Sequence, residues 1–446
     1  MSNLLRSARA LPLLLLLAAC AAFQPAPEQQ PPIVFVHGNG DTAALWHTTM
    51  WRFESNGYDR KLLHAVDFPN PLARSEDAKP PPLRSSTADQ MAELARNVAE
   101  VRRLTGRDKL VLIGNSRGAN TIRNYVKNGG GAAFVSHVIL GGGTNHGTSD
   151  WEETRGSEFN TKGAFLTQLN AGPDEVVAGV RFMTIRSDNN DKYAQPDGRF
   201  LGKPGRPTGV GYDGPELKGA ENVVIPKIDH RETAFGPLAF AQMYRFITGR
   251  APARTDIVPE DRAVLNGKVN GMPGGVATNL PVAGARVDIY EVSGTTGARL
   301  GTAVHAKVTA ADGLWGPFRA KPNAWYEFVI QVPGHAITHI YRSPFPRSSD
   351  IVHLRPANLA KGEETAGSVV MINRPRGYFG HGRDTFLLDG KVPPGINEGV
   401  PGVSAGKLLL PDGPLRAVPA RFNDETMTLQ NWPAKDNHIV IGEFHY

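Results

Sequence analysis

Hydrophobic and polar positions change rhythm once along this chain, near residue 250. Before that point, short all-apolar runs alternate with stretches of helical spacing. Ile33-Val34-Phe35-Val36 and Leu110-Val111-Leu112-Ile113 read as strands covered on both faces, and residues 62–66, residues 135–140, residues 180–185 and Asn222-Val223-Val224-Ile225 as further strands. Residues 46–56, 117–128 and 238–248 have helical spacing. In another helix Met91, Leu94, Val98 and Val101 recur at three- and four-residue steps. Thr87-Ala88-Asp89-Gln90 looks like its capping box, and Gly106 supplies the stop. This alternation predicts an α/β domain over residues 33–250, built on a doubly wound, mostly parallel sheet.

After a Pro-containing linker the apolar positions alternate in twos. Val264-Leu265-Asn266-Gly267-Lys268-Val269, residues 285–292 and residues 325–330 read as strands facing alternately inward and outward, separated by Gly/Pro/Asn turns. An all-β, antiparallel, sandwich-like domain is expected over residues 262–356. Residues 357–446 form either a second C-terminal β-domain or the rest of one continuous β-domain.

The N-terminus adds an address. Arg6 and Arg9 precede a short apolar run that ends in Ala18-Ala19-Cys20, the pattern of a secretory signal over residues 1–20, too short to span a membrane. Leu17-Ala18-Ala19-Cys20 resembles a bacterial lipobox, which would make Cys20 the site of lipidation and of membrane anchoring. The other reading is an ordinary cleaved signal. Cys20 is the only cysteine, so no intramolecular disulfide is possible. Residues 21–32 are rich in Pro and Gln and suit a tether. An exported protein is expected, a cell-envelope lipoprotein or a secreted one. The 446 residues carry a net charge of +6 that is scattered rather than clustered, so no nucleic-acid partner is expected.

Candidate chemistry centres on Gly114-Asn115-Ser116-Arg117-Gly118, a Gly-x-Ser-x-Gly motif between a strand and a helix. In a nucleophile elbow the serine sits on a strained turn, and side chains at positions 114 and 118 would crowd the adjoining strand and helix. The first strand runs into His37-Gly38-Asn39-Gly40. A strand ending in His-Gly resembles the oxyanion loop of α/β-hydrolases, whose donors here would be the main-chain N–H groups of Asn39 and Arg117. His37 is expected to orient that loop. Gly141-Gly142-Gly143 opens the turn beside the serine, and His146 beyond it comes too early in chain order to be the base.

The acid is expected after the strand of residues 180–185. Asp191 heads Asp-x-x-Ala-x-Pro, which resembles the lipase pattern Asp-x-x-Val-x-Pro, and is favoured; Asp188, nearer the strand end, is the alternative. His230, beyond the last strand, is the candidate base, giving the order Ser, Asp, His. No His-Glu-x-x-His, Cys/His cluster or strand-linked Gly-x-Gly-x-x-Gly is present, so neither a metal nor another cofactor is expected.

Phe35-Val36-His37-Gly38, Arg52-Phe53-Glu54-Ser55-Asn56-Gly57-Tyr58, the elbow and Leu140-Gly141-Gly142-Gly143 together resemble α/β-hydrolase lipases of the Bacillus lipase A and Archaeoglobus lipase types. The second stretch is the most telling, because no catalytic requirement dictates it. Val369-Val370-Met371-Ile372-Asn373-Arg374-Pro375-Arg376-Gly377-Tyr378-Phe379-Gly380 resembles the ending of the archaeal lipase, and Ala311-Asp312-Gly313-Leu314-Trp315-Gly316 a turn of carboxypeptidase-regulatory-like modules. The resemblance implies a serine ester hydrolase, a lipase or carboxylesterase working through an acyl-enzyme on a lipid or other acyl ester. A polyester depolymerase or amidase would use the same side chains. A surface-anchored, non-catalytic binding protein is the reading from another class, against which an intact Ser/Asp/His order argues. The β half would dock on a lipid or polymer surface, or serve as a structural cover.

Overall fold

A computed structural model describes residues 30–396, 398–411 and 415–446. The leader of residues 1–20, with Cys20, and residues 21–29 of the tether lie outside the described residues.

Strands β1 (Ile33–Val36), β2 (Leu63–Ala65), β3 (Leu110–Asn115), β4 (Val135–Gly141), β5 (Arg181–Ser187) and β6 (Glu221–Ile225) form one sheet in the order β2-β1-β3-β4-β5-β6. Every pair is parallel. Helices α1 (His47–Ser55), α2 (Thr87–Thr105), α3 (Arg117–Asn128), α4 (Ala164–Leu169), α5 (Glu232–Phe235) and α6 (Pro237–Thr248) connect and follow these strands. The all-apolar runs are what a doubly covered sheet requires. Ile33, Phe35, Val111 and Ile113 pack with α1, α5 and α6, whereas Val34, Val36, Leu110 and Leu112 pack with α2 and α3. This is the α/β architecture that the alternating pattern predicts.

The cap of α2 differs by one residue from the expectation. Ser86, not Thr87, is the N-cap: its Oγ accepts from the Asp89 N–H at 3.1 Å, and the Asp89 carboxylate accepts from the Ser86 N–H at 2.8 Å. The reciprocal pair needs a short acceptor three residues on, which Asp89 supplies, while Gln90 turns inward and is buried. Gly106 ends the helix at φ 64, where a glycine adds no Cβ strain.

Residues 249–261 lie strapped along α1. Arg52 donates to the carbonyls of Thr255 at 2.8 Å and Phe235 at 2.7 Å, Ser55 Oγ accepts from the Val258 N–H at 2.9 Å, and Asn56 Nδ2 donates to Arg254 O at 2.9 Å. Those contacts give residues 52–58 their structural purpose: they dock the segment that leads into the β half.

That half contains β7 (Ala263–Leu265), β8 (Arg286–Val292), β9 (His305–Val308), β10 (Phe318–Ala320), β11 (Trp325–Gln331), β12 (Ile337–Arg342), β13 (Ser368–Asn373), β14 (Phe386–Leu388), β15 (Ala405–Leu410), β16 (Ala417–Phe422), β17 (Glu425–Gln430) and β18 (His438–Glu443). Seven of them form a sheet in the order β15-β13-β18-β12-β11-β8-β9, with β10-β7 and β14-β16-β17 as smaller sheets. The last strand, β18, lies between β12 and β13 and runs parallel to both. Residues 262–356 and 357–446 therefore share one sheet, and its two parallel pairs depart from a purely antiparallel sandwich.

Inward–outward alternation is clean in β16, but β11 is buried from Tyr326 to Ile330. One face of β11 joins Trp315 and the Trp51 side chain of α1 in a shared core; on the other, buried Glu327 pairs with Arg299 and His339, each at 2.6 Å. A central strand covered on both sides has no solvent face on which to show alternation. Trp51 also donates from Nε1 to Ser348 O at 2.9 Å, so residues 31–446 form one unit.

Candidate active site

β3 delivers Ser116 to the carboxyl edge of the sheet at φ 55 and ψ −122. A non-glycine residue holds such angles only when its surroundings over-determine them. A Cβ at Gly118 would stand 2.5 Å from Val36 O and 2.6 Å from His37 O; one at Gly114 would stand 2.7 Å from Ile122 Cδ1. Both positions have room for hydrogen alone. Arg117 is the first residue of α3, so its N–H belongs to the group that a helix leaves without an internal acceptor.

Asn39 lines the cavity that contains Ser116, and its Oδ1 is held by the Ala73 N–H at 2.7 Å. Beside it, His37 Nε2 accepts from the Phe68 N–H at 3.2 Å, leaving Nδ1 to donate to Gly38 O at 2.9 Å. Burial lowers its pKa, so His37 is a neutral strut for the loop. Residues 70–85 are pinned beside the elbow: Arg117 Nη1 donates to Pro71 O at 3.0 Å, and Ser85 Oγ donates to Asn70 O at 2.6 Å.

His230 Nδ1 donates to Asp191 Oδ2 at 2.8 Å, while Asp191 Oδ1 accepts from the Tyr193 N–H at 2.8 Å. With its proton on Nδ1, the neutral ring presents Nε2 as an acceptor. That Nε2 is buried and has no hydrogen-bond partner among the described residues. His230 lines the same 140 Å³ cavity as Ser116 and Asn39. Ser116, His230 and Asp191 are thus brought together from the ends of β3, β6 and β5.

Asp188 is turned away from the imidazole. Its Oδ1 accepts from Asn190 Nδ2 at 2.8 Å and Ser187 Oγ at 3.1 Å, and its Oδ2 from the Lys227 N–H at 2.9 Å, so it closes turns. His146 is paired with Glu175 at 3.0 Å. It lines a second cavity of 320 Å³, which meets the first at Thr144 and Tyr193.

Several residues of this site escaped the sequence reading. Asn115 Nδ2 donates to Gly141 O at 3.0 Å and His230 O at 3.1 Å, tying the nucleophile strand to the histidine loop. Its signal was a polar residue closing an otherwise apolar strand. The Tyr193 ring stands edge-on to His230 with centroids 4.7 Å apart. Arg231 and Asp41, paired at 3.1 Å, and Tyr378 complete the cavity wall. No local pattern points to Tyr378, because it comes from the β half. Among the described residues, no group of three or more His, Cys, Asp and Glu side chains is arranged for a metal ion.

Residues 30–151 match the family model for lipase (class 2), and residues 261–359 match that for the lipase C-terminal domain. Among solved structures, the chain is similar to the Bacillus licheniformis lipase BlEst2 in its propeptide form, at 20% identity over 62% of this chain and 60% of that chain, with a TM-score of 0.37. For the mature form of that lipase the identity is 22%, over 51% of this chain and 95% of that one, with a TM-score of 0.37. The carboxylesterase CesB from Bacillus subtilis is 14% identical over 50% of this chain and 86% of that one, with a TM-score of 0.30. The chain thus spans 60% of the length of the propeptide form. Residues 30–151 thus carry lipase (class 2) sequence on the α/β half of the fold, and residues 261–359 carry lipase C-terminal domain sequence on the β half.

Proposed function

We propose that the protein is a serine ester hydrolase, a lipase or carboxylesterase, whose nucleophile is Ser116. His230 Nε2 takes the hydroxyl proton as Ser116 Oγ attacks the ester carbonyl. The N–H groups of Asn39 and Arg117 stabilise the tetrahedral oxyanion. The imidazolium, steadied by Asp191, gives its proton to the leaving alcohol, and water activated by the same histidine cleaves the acyl-enzyme. The observation that carries this reading is the unpartnered, buried Nε2 of an Asp191-bound histidine in the cavity of a serine held at positive φ.

Ser116→Ala is expected to abolish turnover of a p-nitrophenyl ester while the circular dichroism spectrum stays native, and retained turnover overturns the reading. We further propose that the protein is exported and anchored to the envelope through lipidated Cys20, where it meets acyl esters.

A further inference from the structure

Residues 374–383 belong to the β half by chain position, yet they close around the loop that carries His230. Arg374, itself buried, donates from Nη1 to Asp229 Oδ2 at 2.9 Å and from Nη2 to Glu232 Oε1 at 2.6 Å. The Tyr378 N–H donates to the same Asp229 oxygen at 2.9 Å. Arg383 Nη1 reaches Glu232 Oε2 at 2.8 Å and Lys227 O at 2.9 Å. His230 is therefore flanked at positions 229 and 232 by carboxylates held from the C-terminal half.

The loop needs that support. Asp229 Oδ1 accepts from the N–H groups of Arg231 at 2.8 Å and Glu232 at 2.9 Å, and Glu232 Oε2 accepts from the Asp229 N–H at 2.6 Å. This reciprocal cap shapes the turn, but it packs two like charges together away from water, an arrangement that stands only when cations share the space. Arg374 bridges both carboxylates with one planar fork, a geometry that an ammonium cannot reproduce.

The acid side is held from the same region. Lys192, next to Asp191, donates to Gly402 O at 2.9 Å and lies 4.3 Å over the ring of Tyr378. Tyr378 in turn lines the Ser116 cavity, whereas Arg374 does not.

We propose that Arg374 is a positioning residue, holding His230 towards Ser116 through Asp229 and Glu232, and that Tyr378 beside it is a specificity-determining wall of the substrate cavity. Both assignments rest on the hydrolytic reading above. They make the C-terminal half part of the active site.

The test uses the full chain, with active sites counted by end-point fluorophosphonate labelling of Ser116. Arg374→Met is expected to lower kcat per labelled site by about 10–100-fold, because a small displacement of the base is costly, with KM changed by less than about twofold. Arg374→Lys recovers part of that loss. Tyr378→Ala is expected to change KM and the preference for ester chain length. Unchanged kcat per labelled site in folded Arg374→Met overturns the positioning role, and unchanged KM and chain-length preference in Tyr378→Ala overturns the wall. Should Arg374→Met fail to fold, Arg383→Met decides: kcat per site falls at least about threefold, or the positioning role is wrong. Failure of the hydrolytic reading looks different, because then either wild-type protein would not label or Ser116→Ala would stay active.

Discussion

Arg117 and Glu158 meet as a buried, two-pronged pair, Nε to Oε1 and Nη2 to Oε2, each at 2.7 Å. The remaining guanidinium protons go to Pro71 O at 3.0 Å, Ser85 Oγ at 2.9 Å and Ser85 O at 2.7 Å. The residue that follows Ser116 and opens α3 thus locks the loop of residues 70–85 to the elbow through its side chain. Its main chain remains at the helix N-terminus.

Breaking that pair should cost stability. Arg117→Met leaves Glu158 buried without its cation, and burial already raises the Glu158 pKa. A loss of about 3–5 kcal/mol is expected in urea denaturation. Arg117→Met combined with Glu158→Gln should lose clearly less, since no buried charge is stranded. A double variant no more stable than the single one would show that the pair is not the cause.

The two aspartates of the acid loop separate by kinetics. Asp191→Asn should lower kcat by roughly 10⁴-fold with little change in fold, because the imidazole loses the acceptor that sets its tautomer. Asp188→Asn should stay near wild-type kcat and lose about 1 kcal/mol of stability as its turn contacts weaken. The reverse ranking would move the acid to Asp188.

Stability should fall on mild acidification. His445 is fully buried, and its Nε2 lies 3.0 Å from Ser343 O. Burial first, then the charges of Arg376 and Arg342, push its pKa from 6.5 down to about 3. As pH falls through the ordinary histidine value, the unfolded chain binds a proton that the folded protein refuses. Stability is therefore full above that value and lost down towards the folded pKa, by at most about 1.4 kcal/mol per pH unit from this group. The same sign holds for His47, whose pKa is also lowered by burial. His445→Gln keeps a donor for Ser343 O without the titration, so its urea midpoint should fall less steeply between about pH 6 and pH 4. Parallel slopes for the two proteins would refute this.

Envelope anchoring gives a direct check. The wild-type chain expressed in a bacterium should incorporate labelled palmitate and fractionate with membranes, whereas Cys20→Ser should do neither. Label in the variant, or none in the wild type, would exclude lipidation at Cys20.

How much of this was legible in advance depends on how far apart the interacting residues lie. Runs such as Leu110-Val111-Leu112-Ile113 announce a doubly covered strand because every residue must meet apolar cover, whichever face it takes. The close approach at Gly114 is local too, since a Cβ there would meet Ile122 and the Gly118 backbone, whereas the crowding at Gly118 comes from Val36 and His37 at the end of β1. The α2 cap went wrong by one position because Ser86 and Thr87 are both good caps, and the partner at the third residue decides between them.

Other features were set only when distant segments met. The choice between Asp188 and Asp191 depends on which carboxylate faces an imidazole 39 positions away, not on distance from the strand end. The place of β18 between β12 and β13 is a pairing that no local pattern encodes. Arg374 and Asp229 are separated by 145 residues and show their relationship only across the packed halves. By itself the sequence determined the strands, the elbow and the order Ser, Asp, His, because periodicity and steric demand act over a few neighbours. The tertiary structure decided which charges are buried together and what holds the histidine loop, because desolvation and ion pairing depend on what packs alongside.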